Sequence, residues 1–255
     1  MIPATPMTIL VLGATGATGK HLTRYLLANG HAVKAIVRSA DRLKAVVSDH
    51  PNLDVTEGTV LNQSDKTLQE TVQGCDAVAS CLGHNISFKG IFGAPRRLVR
   101  DTAERICAAI KANQLAAPVK YVLTNTTGNT NWDLNEIVPT SQRIVTSLLR
   151  VVLPPHVDNE QAADYLRVNI DQENASVEWC CVRPDGLIDQ DEPTPLDIHP
   201  SPIRNPIFDA GKTSRINVAH FMGRLIEDEA LWKEWKGRMP VIYNRALQNL
   251  NRTES

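Results

Sequence analysis

The chain has 255 residues, 42% of them apolar, which is enough to bury the core of one large α/β domain with a small appendage. Charged residues make up 22% and the formal net charge is −1, so nothing points to a nucleic-acid backbone as partner. No apolar run reaches the roughly 20 residues that a membrane span requires; the nearest, Ile144 to Leu153, is interrupted by Arg150.

Apolar runs alternate with helical patterns along the chain. Thr8–Leu12 reads as an apolar strand, and Gly16–Ala28 as a helix stopped at Asn29-Gly30. His31–Val37 is a second strand, followed by a short helix near Asp41–Val47 that His50-Pro51 breaks. Leu53–Glu57 is a third strand, Asp65–Val72 a helix stopped by Gly74, and Cys75–Cys81 a fourth strand. The long helix Pro95–Asn113 carries Leu98, Thr102, Ile106 and Ile110 down one side. Val119–Thr124 is a fifth strand. Gln142–Val152 reads as a helix ended by Pro154-Pro155, Asp158–Val168 as the next helix, and Val177–Val182 as a sixth strand. This alternation predicts an α/β fold with a doubly wound parallel sheet, a Rossmann architecture. After Arg183-Pro184 the rhythm changes. Residues 184–215 contain a Pro-rich excursion and read as a small C-terminal cap on the substrate side, within a single domain spanning 1–255. Val218–Glu227 is a later helix, and Val241-Ile242-Tyr243 a last strand.

Met1 to Pro6 lacks a basic region followed by a long apolar stretch, so no secretory signal is expected. The five cysteines show no metal-ligand spacing and fall mostly in apolar runs, so no metal site is expected and the setting is read as reducing and cytoplasmic.

Gly13, Gly16 and Gly19 lie between the first strand and the first helix. In that position Gly13 lets the chain turn off the strand, Gly16 lets the backbone approach a pyrophosphate, and Gly19 lets the helix pack on the sheet. The helix N-terminus then offers its free N–H groups to phosphate. Thr15 and Thr18 add hydroxyls, with Ala17 between them, and Thr15 could equally help cap the helix. The second strand ends Ala35-Ile36-Val37-Arg38-Ser39, with no acid before Asp41. A carboxylate there would select the ribose 2′-hydroxyl of NAD; Arg38, with Ser39, suits the 2′-phosphate of NADP.

The run Gly13-Ala14-Thr15-Gly16-Ala17-Thr18-Gly19, with Arg38 and Val182-Arg183-Pro184, resembles the atypical short-chain dehydrogenase/reductase superfamily. More narrowly, it is similar to the NAD(P)H-binding group that includes biliverdin IXβ (flavin) reductase and nitrogen-metabolite-repressor-like proteins, over residues 7 to about 245. The resemblance implies that Thr59 and Val60 lie near the adenine, with Thr59 replacing the acid of the family's G-D-V. It also implies that Leu82 and Gly83 pass the cofactor ribose. The rule for open parallel sheets gathers Gly13, Arg38, Thr59, Leu82, Thr126 and Arg183 on one edge.

The superfamily's Tyr-x-x-x-Lys pair is absent: Tyr25, Tyr121 and Tyr165 are each followed four residues on by Asn, and Tyr243 by Leu. Thr126 matches the position of the superfamily serine and could hold a substrate carbonyl; strand-end turn chemistry explains it as well. His156 is the histidine near the missing pair that could titrate near neutrality. Asp158 and Gln161 read as a capping-box variant. A polar loop with His84, Asn85, Lys89, Arg96 and Arg97 could close over substrate.

Together these readings predict an NADP-dependent oxidoreductase passing hydride to a small conjugated acceptor of flavin, quinone or enone type. Thr126 and His156 are its candidate catalytic residues. The partner is a small molecule, with no nucleic acid and no membrane. The rival readings are a non-catalytic NADP-binding sensor and an isomerase or dehydratase of the same superfamily.

Overall fold

A computed structural model describes residues 5–84, 93–134, 136, 139, 145, 150 and 154–245. Its centre is an eight-stranded sheet in the order β3-β2-β1-β4-β5-β6-β10-β8. The strands are β1 (Thr8–Leu12), β2 (Ala32–Val37), β3 (Leu53–Glu57), β4 (Ala77–Ser80), β5 (Val119–Thr124), β6 (Val177–Pro184), β8 (Leu196–His199) and β10 (Val241–Asn244). All pairings in this sheet are parallel except that of β10 with β8. The reversal of strand order between β1 and β4 opens a crevice at the carboxyl ends of the strands, where open α/β sheets bind ligands.

Alternate residues of β1 feed two cores. Ile9 and Val11 face α1 (Gly19–Ala28) and the later helices α6 (Arg215–Glu227) and α7 (Glu229–Trp235), joining Leu22, Leu26, Phe221 and Trp232. Leu10 and Leu12 face the opposite layer of α3 (Asp65–Val72), α4 (Leu98–Ala112) and α5 (Pro154–Asp164), joining Val99, Ile106, Ile110 and Leu166. Both faces of the sheet are therefore covered, which is why β1 reads as an unbroken apolar run. The short helix α2 (Ala40–Lys44) follows β2.

Several boundaries differ from the sequence reading. The first helix begins at Gly19, because residues 13–18 form a turn closed by the Gly16 N–H donating to the Gly13 carbonyl at 2.8 Å. The helix read from Asp158 begins earlier, as α5 at Pro154-Pro155: proline is at home in a first helical turn, whose N–H groups have no intrahelical acceptor. The helix expected over 142–152 falls almost wholly outside the described residues, as do Asn85 and Lys89 of the expected polar loop. Asp158 therefore lies inside α5, and the capping box expected there does not form. The Pro-rich stretch holds β8, which extends the sheet. Two short strands, β7 (Gly186–Ile188) and β9 (Lys212–Ser214), pair separately in the C-terminal extension.

Candidate cofactor cleft and substrate-side residues

β1 delivers the chain to Gly13, which has φ +78°, and a Cβ there would stand 2.7 Å from the Cys81 carbonyl oxygen just beyond β4. At Gly19 a Cβ would stand 2.1 Å from the Gly13 carbonyl oxygen. Two glycines thus let strand, turn and helix come closer than any side chain allows. The turn forms one wall of a cleft of about 760 Å³, which Gly13, Thr15 and Gly16 line directly. Ala17 and Thr18 sit one step away and do not line it.

Arg38, just past β2, lines the cleft and is exposed; among the described residues it makes no ion pair or hydrogen bond. Ser39 does not line the cleft, and its hydroxyl accepts the Arg42 N–H at 3.3 Å, capping α2. Thr59 and Val60 line the same side, at the start of a 3₁₀ turn over Val60–Asn62. That turn is held from behind by Arg105 of α4. Its guanidinium donates to the carbonyls of Val60 and Gln63, each at 2.7 Å, and to the Asp65 carboxylate at 2.7 Å.

The opposite wall comes from Cys81, Leu82, Gly83 and His84, which follow β4, and from Leu98 and Thr102 of α4. Burial pushes the Cys81 thiol up to about 12, so it stays protonated. The His84 Nε2 lies 2.7 Å from Oδ2 of Asp158, a residue only 1% exposed. The same carboxylate accepts the Val99 N–H at 2.8 Å and the Arg100 N–H at 3.0 Å. Asp158 is a helix cap after all, but of α4 and across a tertiary contact, not of its own helix.

Thr126 and His156 come together at Gly128 but do not line this cleft. A Cβ on Gly128 would meet the His156 Cε1 at 3.4 Å and the Thr126 Oγ1 at 3.6 Å. The Thr126 hydroxyl accepts the Gly128 N–H at 3.2 Å, which is turn chemistry. The His156 pKa is lowered, mainly by burial and further by Arg150, against the opposing pull of Glu160. Its ring is therefore neutral at pH 7.

Arg183 stands at the carboxyl end of β6, as the strand-end rule expects, but does not line the cleft. Its guanidinium is fully buried. It pairs with both carboxylate oxygens of Glu136, at 2.7 and 3.0 Å, and donates to the carbonyls of Asn129, Pro200 and Met239. Arg105 and the long-range role of Asp158 went unread in the sequence. One signal for Asp158 was present: Asp158, Ala162, Leu166 and Ile170 recur every fourth residue and are all buried, so an acid on that apolar stripe requires a partner.

Residues 13–229 match the NAD(P)H-binding family. The chain belongs to that family. An uncharacterized chloroplast protein of Arabidopsis thaliana is 35% identical over 80 residues, which is 31% of this NAD(P)H-binding chain and 29% of the relative. The match thus spans well under two thirds of that relative's length. A short-chain dehydrogenase/reductase from Veillonella parvula superposes with TM-score 0.69 at 16% identity, covering 95% of this chain and 96% of that one. A second structure of a Veillonella parvula short-chain dehydrogenase/reductase, in complex with NADP, gives TM-score 0.63 at 15% identity over 95% and 96%. An anaerobillin reductase of Escherichia coli O157:H7 gives 0.62 at 16% identity over 94% and 98%. These structural likenesses establish the shared fold.

The residues present fit an NAD(P)H. Glycine at 13 and 19 lets the turn close against the Cys81 backbone and its own carbonyl, Gly13, Thr15 and Gly16 of that turn line the cleft, and the N-terminus of α1 follows it. Among the described residues no cluster of His, Cys, Asp and Glu could hold a metal ion, and no helix is long and apolar enough to cross a membrane.

Proposed function

We propose that this protein is an NADPH-dependent oxidoreductase that passes hydride to a small conjugated acceptor of flavin, quinone or enone type. The observation that carries the reading is the pairing of the glycine turn with Arg38, an exposed guanidinium without a partner among the described residues, at the edge of the same cleft. Gly13, Gly16 and Thr15, with Ala17 and Thr18 at the helix entrance, hold the pyrophosphate. Arg38, with Ser39 alongside, takes the 2′-phosphate. Thr59 and Val60 form the adenine wall, and Leu82 and Gly83 the ribose wall. The dihydronicotinamide, when bound, supplies hydride chemistry; the protein supplies position and electrostatics. Thr126, with His156 beside it, bounds the substrate site. The segment 184–215 is its outer cap, within one domain over 1–255. A cytoplasmic setting accords with five free cysteines.

Arg38→Ala weakens NADPH binding by ten- to a hundredfold and NADH binding by less than threefold, read by fluorescence titration; equal losses refute the NADP preference. Steady NADPH consumption with a quinone or flavin panel supports the oxidoreductase. Tight NADPH binding without turnover of any acceptor refutes it in favour of a non-catalytic sensor.

A further inference from the structure

The stretch after β2 holds no acid before Asp41, and on that ground it suits the 2′-phosphate of NADP. The fold brings an acid there from elsewhere. β2 and β3 run parallel with Val37 beside Glu57, and the Gly58 N–H donates to the Val37 carbonyl at 2.7 Å, so the two strands end level. The Glu57 side chain crosses from β3 to the segment after β2, where its Oε1 accepts the Ala40 N–H at 2.6 Å. Val37, Arg38 and Gly58, the residues around this crossing, all line the cleft. We propose that Glu57 is a specificity-determining residue. Its carboxylate opposes the 2′-phosphate that Arg38 attracts, and so holds the preference for NADPH over NADH below what Arg38 alone would give. The inference rests on the reading above that the 2′-phosphate lies at Arg38 and Ser39.

Reach and charge support it. Two peptide units carry the chain at most about 7 Å from the Arg38 Cα to the Ala40 Cα. With the hydrogen bond to Ala40 added, the Glu57 carboxylate stands within about 10 Å of the Arg38 Cα. That is about one Debye length at 0.1 M ionic strength, so its charge is felt at the phosphate site. The charge is fixed there but not neutralised. A backbone N–H is a neutral donor, and Arg38 makes no ion pair with Glu57 or any other described residue. Asp41 is the other acid of this segment, but its carboxylate bonds to no described residue and nothing holds it at the site. A phosphate monoester carries a charge of about −1.5 to −2 near neutral pH, whereas the 2′-hydroxyl of NADH is neutral. The carboxylate therefore repels the first cofactor at this position and leaves the second unaffected.

The test is made by ligand titration of the full-length protein. Glu57→Gln keeps the side-chain length and an oxygen for the Ala40 N–H, and removes only the charge. At about 0.01 M ionic strength, where the Debye length is about 30 Å, its NADPH affinity by fluorescence titration is expected to rise about three- to fivefold, the scale of an exposed charge pair, with NADH affinity within about 1.5-fold of wild type. Adenosine 2′,5′-bisphosphate and 5′-AMP, titrated by calorimetry, repeat the contrast without the nicotinamide. At about 1 M salt, where the Debye length is about 3 Å, the gain disappears. Glu57→Asp retains the charge and stays near wild type for both cofactors. An unchanged NADPH affinity in Glu57→Gln, an equal gain for NADH, a gain that persists at high salt, or the same gain in Glu57→Asp overturns the role of Glu57. Arg38→Ala separates this from failure of the reading beneath it. If that variant loses NADPH selectively while Glu57→Gln changes nothing, only the role of Glu57 falls. If it loses both cofactors equally, the 2′-phosphate is not at Arg38 and both fall.

Discussion

His156 sits in α5 with its ring near Gly128, and burial, aided by Arg150, lowers its pKa from the ordinary 6.5 despite Glu160. A histidine with a lowered folded pKa binds its proton more readily when the chain unfolds. The native state therefore has its full advantage above about pH 6.5 and loses it as pH falls below that value. The melting temperature is expected to decline on acidification from pH 6.5, with a shallower slope in His156→Gln; calorimetry across that range reads it. His21 and His220 are lowered by burial too, so the slope shrinks without vanishing; an unchanged slope refutes the assignment to His156. At Gly13 the constraint is steric. An added Cβ would meet the Cys81 carbonyl at 2.7 Å on a backbone with φ +78°. Gly13→Ala is expected to cost about 1–3 kcal/mol of stability and to abolish NADPH binding, read by urea denaturation and fluorescence titration. Wild-type values for both would show that the turn tolerates a side chain. The role of Gly13 was legible in sequence because the glycine pattern stands between a strand and a helix. The environment of His156 was not, because its desolvation comes from chain brought in by folding.

Helix α4 links the two walls of the cleft. Asp158 caps its first turn beside His84, and Arg105 further along grips the 3₁₀ turn proposed as the adenine wall. Leu98 and Thr102 of the same helix line the space between. Arg105→Met keeps the apolar stem but leaves the carbonyls of Val60 and Gln63 without their donor. NADPH affinity is expected to fall about tenfold, equivalent to roughly 1.4 kcal/mol, while binding of reduced nicotinamide mononucleotide, which lacks the adenosine half, stays constant. Calorimetric titration with both ligands separates a loosened adenine wall from general damage, in which both affinities fall. At this scale, elements with sharp ends in the sequence matched the fold: β3, α3 and β5 have the expected limits. The failures came where one residue type serves two purposes. Proline also suits a first helical turn, so the helix read from Asp158 begins at Pro154, and Asp158 caps a helix more than fifty residues earlier in the chain.

Across the whole molecule, the strand-end rule puts Arg183 on the edge where β6 ends, but says nothing of what its side chain pairs with. Position along a strand is set locally, whereas the partner of a side chain depends on the return of distant segments, here 47 residues earlier at Glu136. That ion pair fastens the C-terminal part of the protein. One guanidinium joins β6 to the segment after β5 through Asn129 and Glu136, to the approach to β10 through Met239, and to the Pro-rich extension through Pro200. Each contact is made in the interior, with the Arg183 and Glu136 side chains 0% and 6% exposed. Removing one partner from such a pair strands the other charge and typically costs about 3–5 kcal/mol. Arg183→Met is accordingly expected to lower the melting temperature by roughly 10 °C, given about 2–4 °C per kcal/mol for a chain of this size. Double replacement with Glu136→Leu is expected to recover part of the loss, because no unpaired carboxylate remains. The cleft lies on the far side of β4 and β5 from this clamp, so NADPH affinity measured well below the melting point is expected to stay within threefold in both variants. A selective loss of NADPH binding at unchanged stability would instead make Arg183 a cofactor contact.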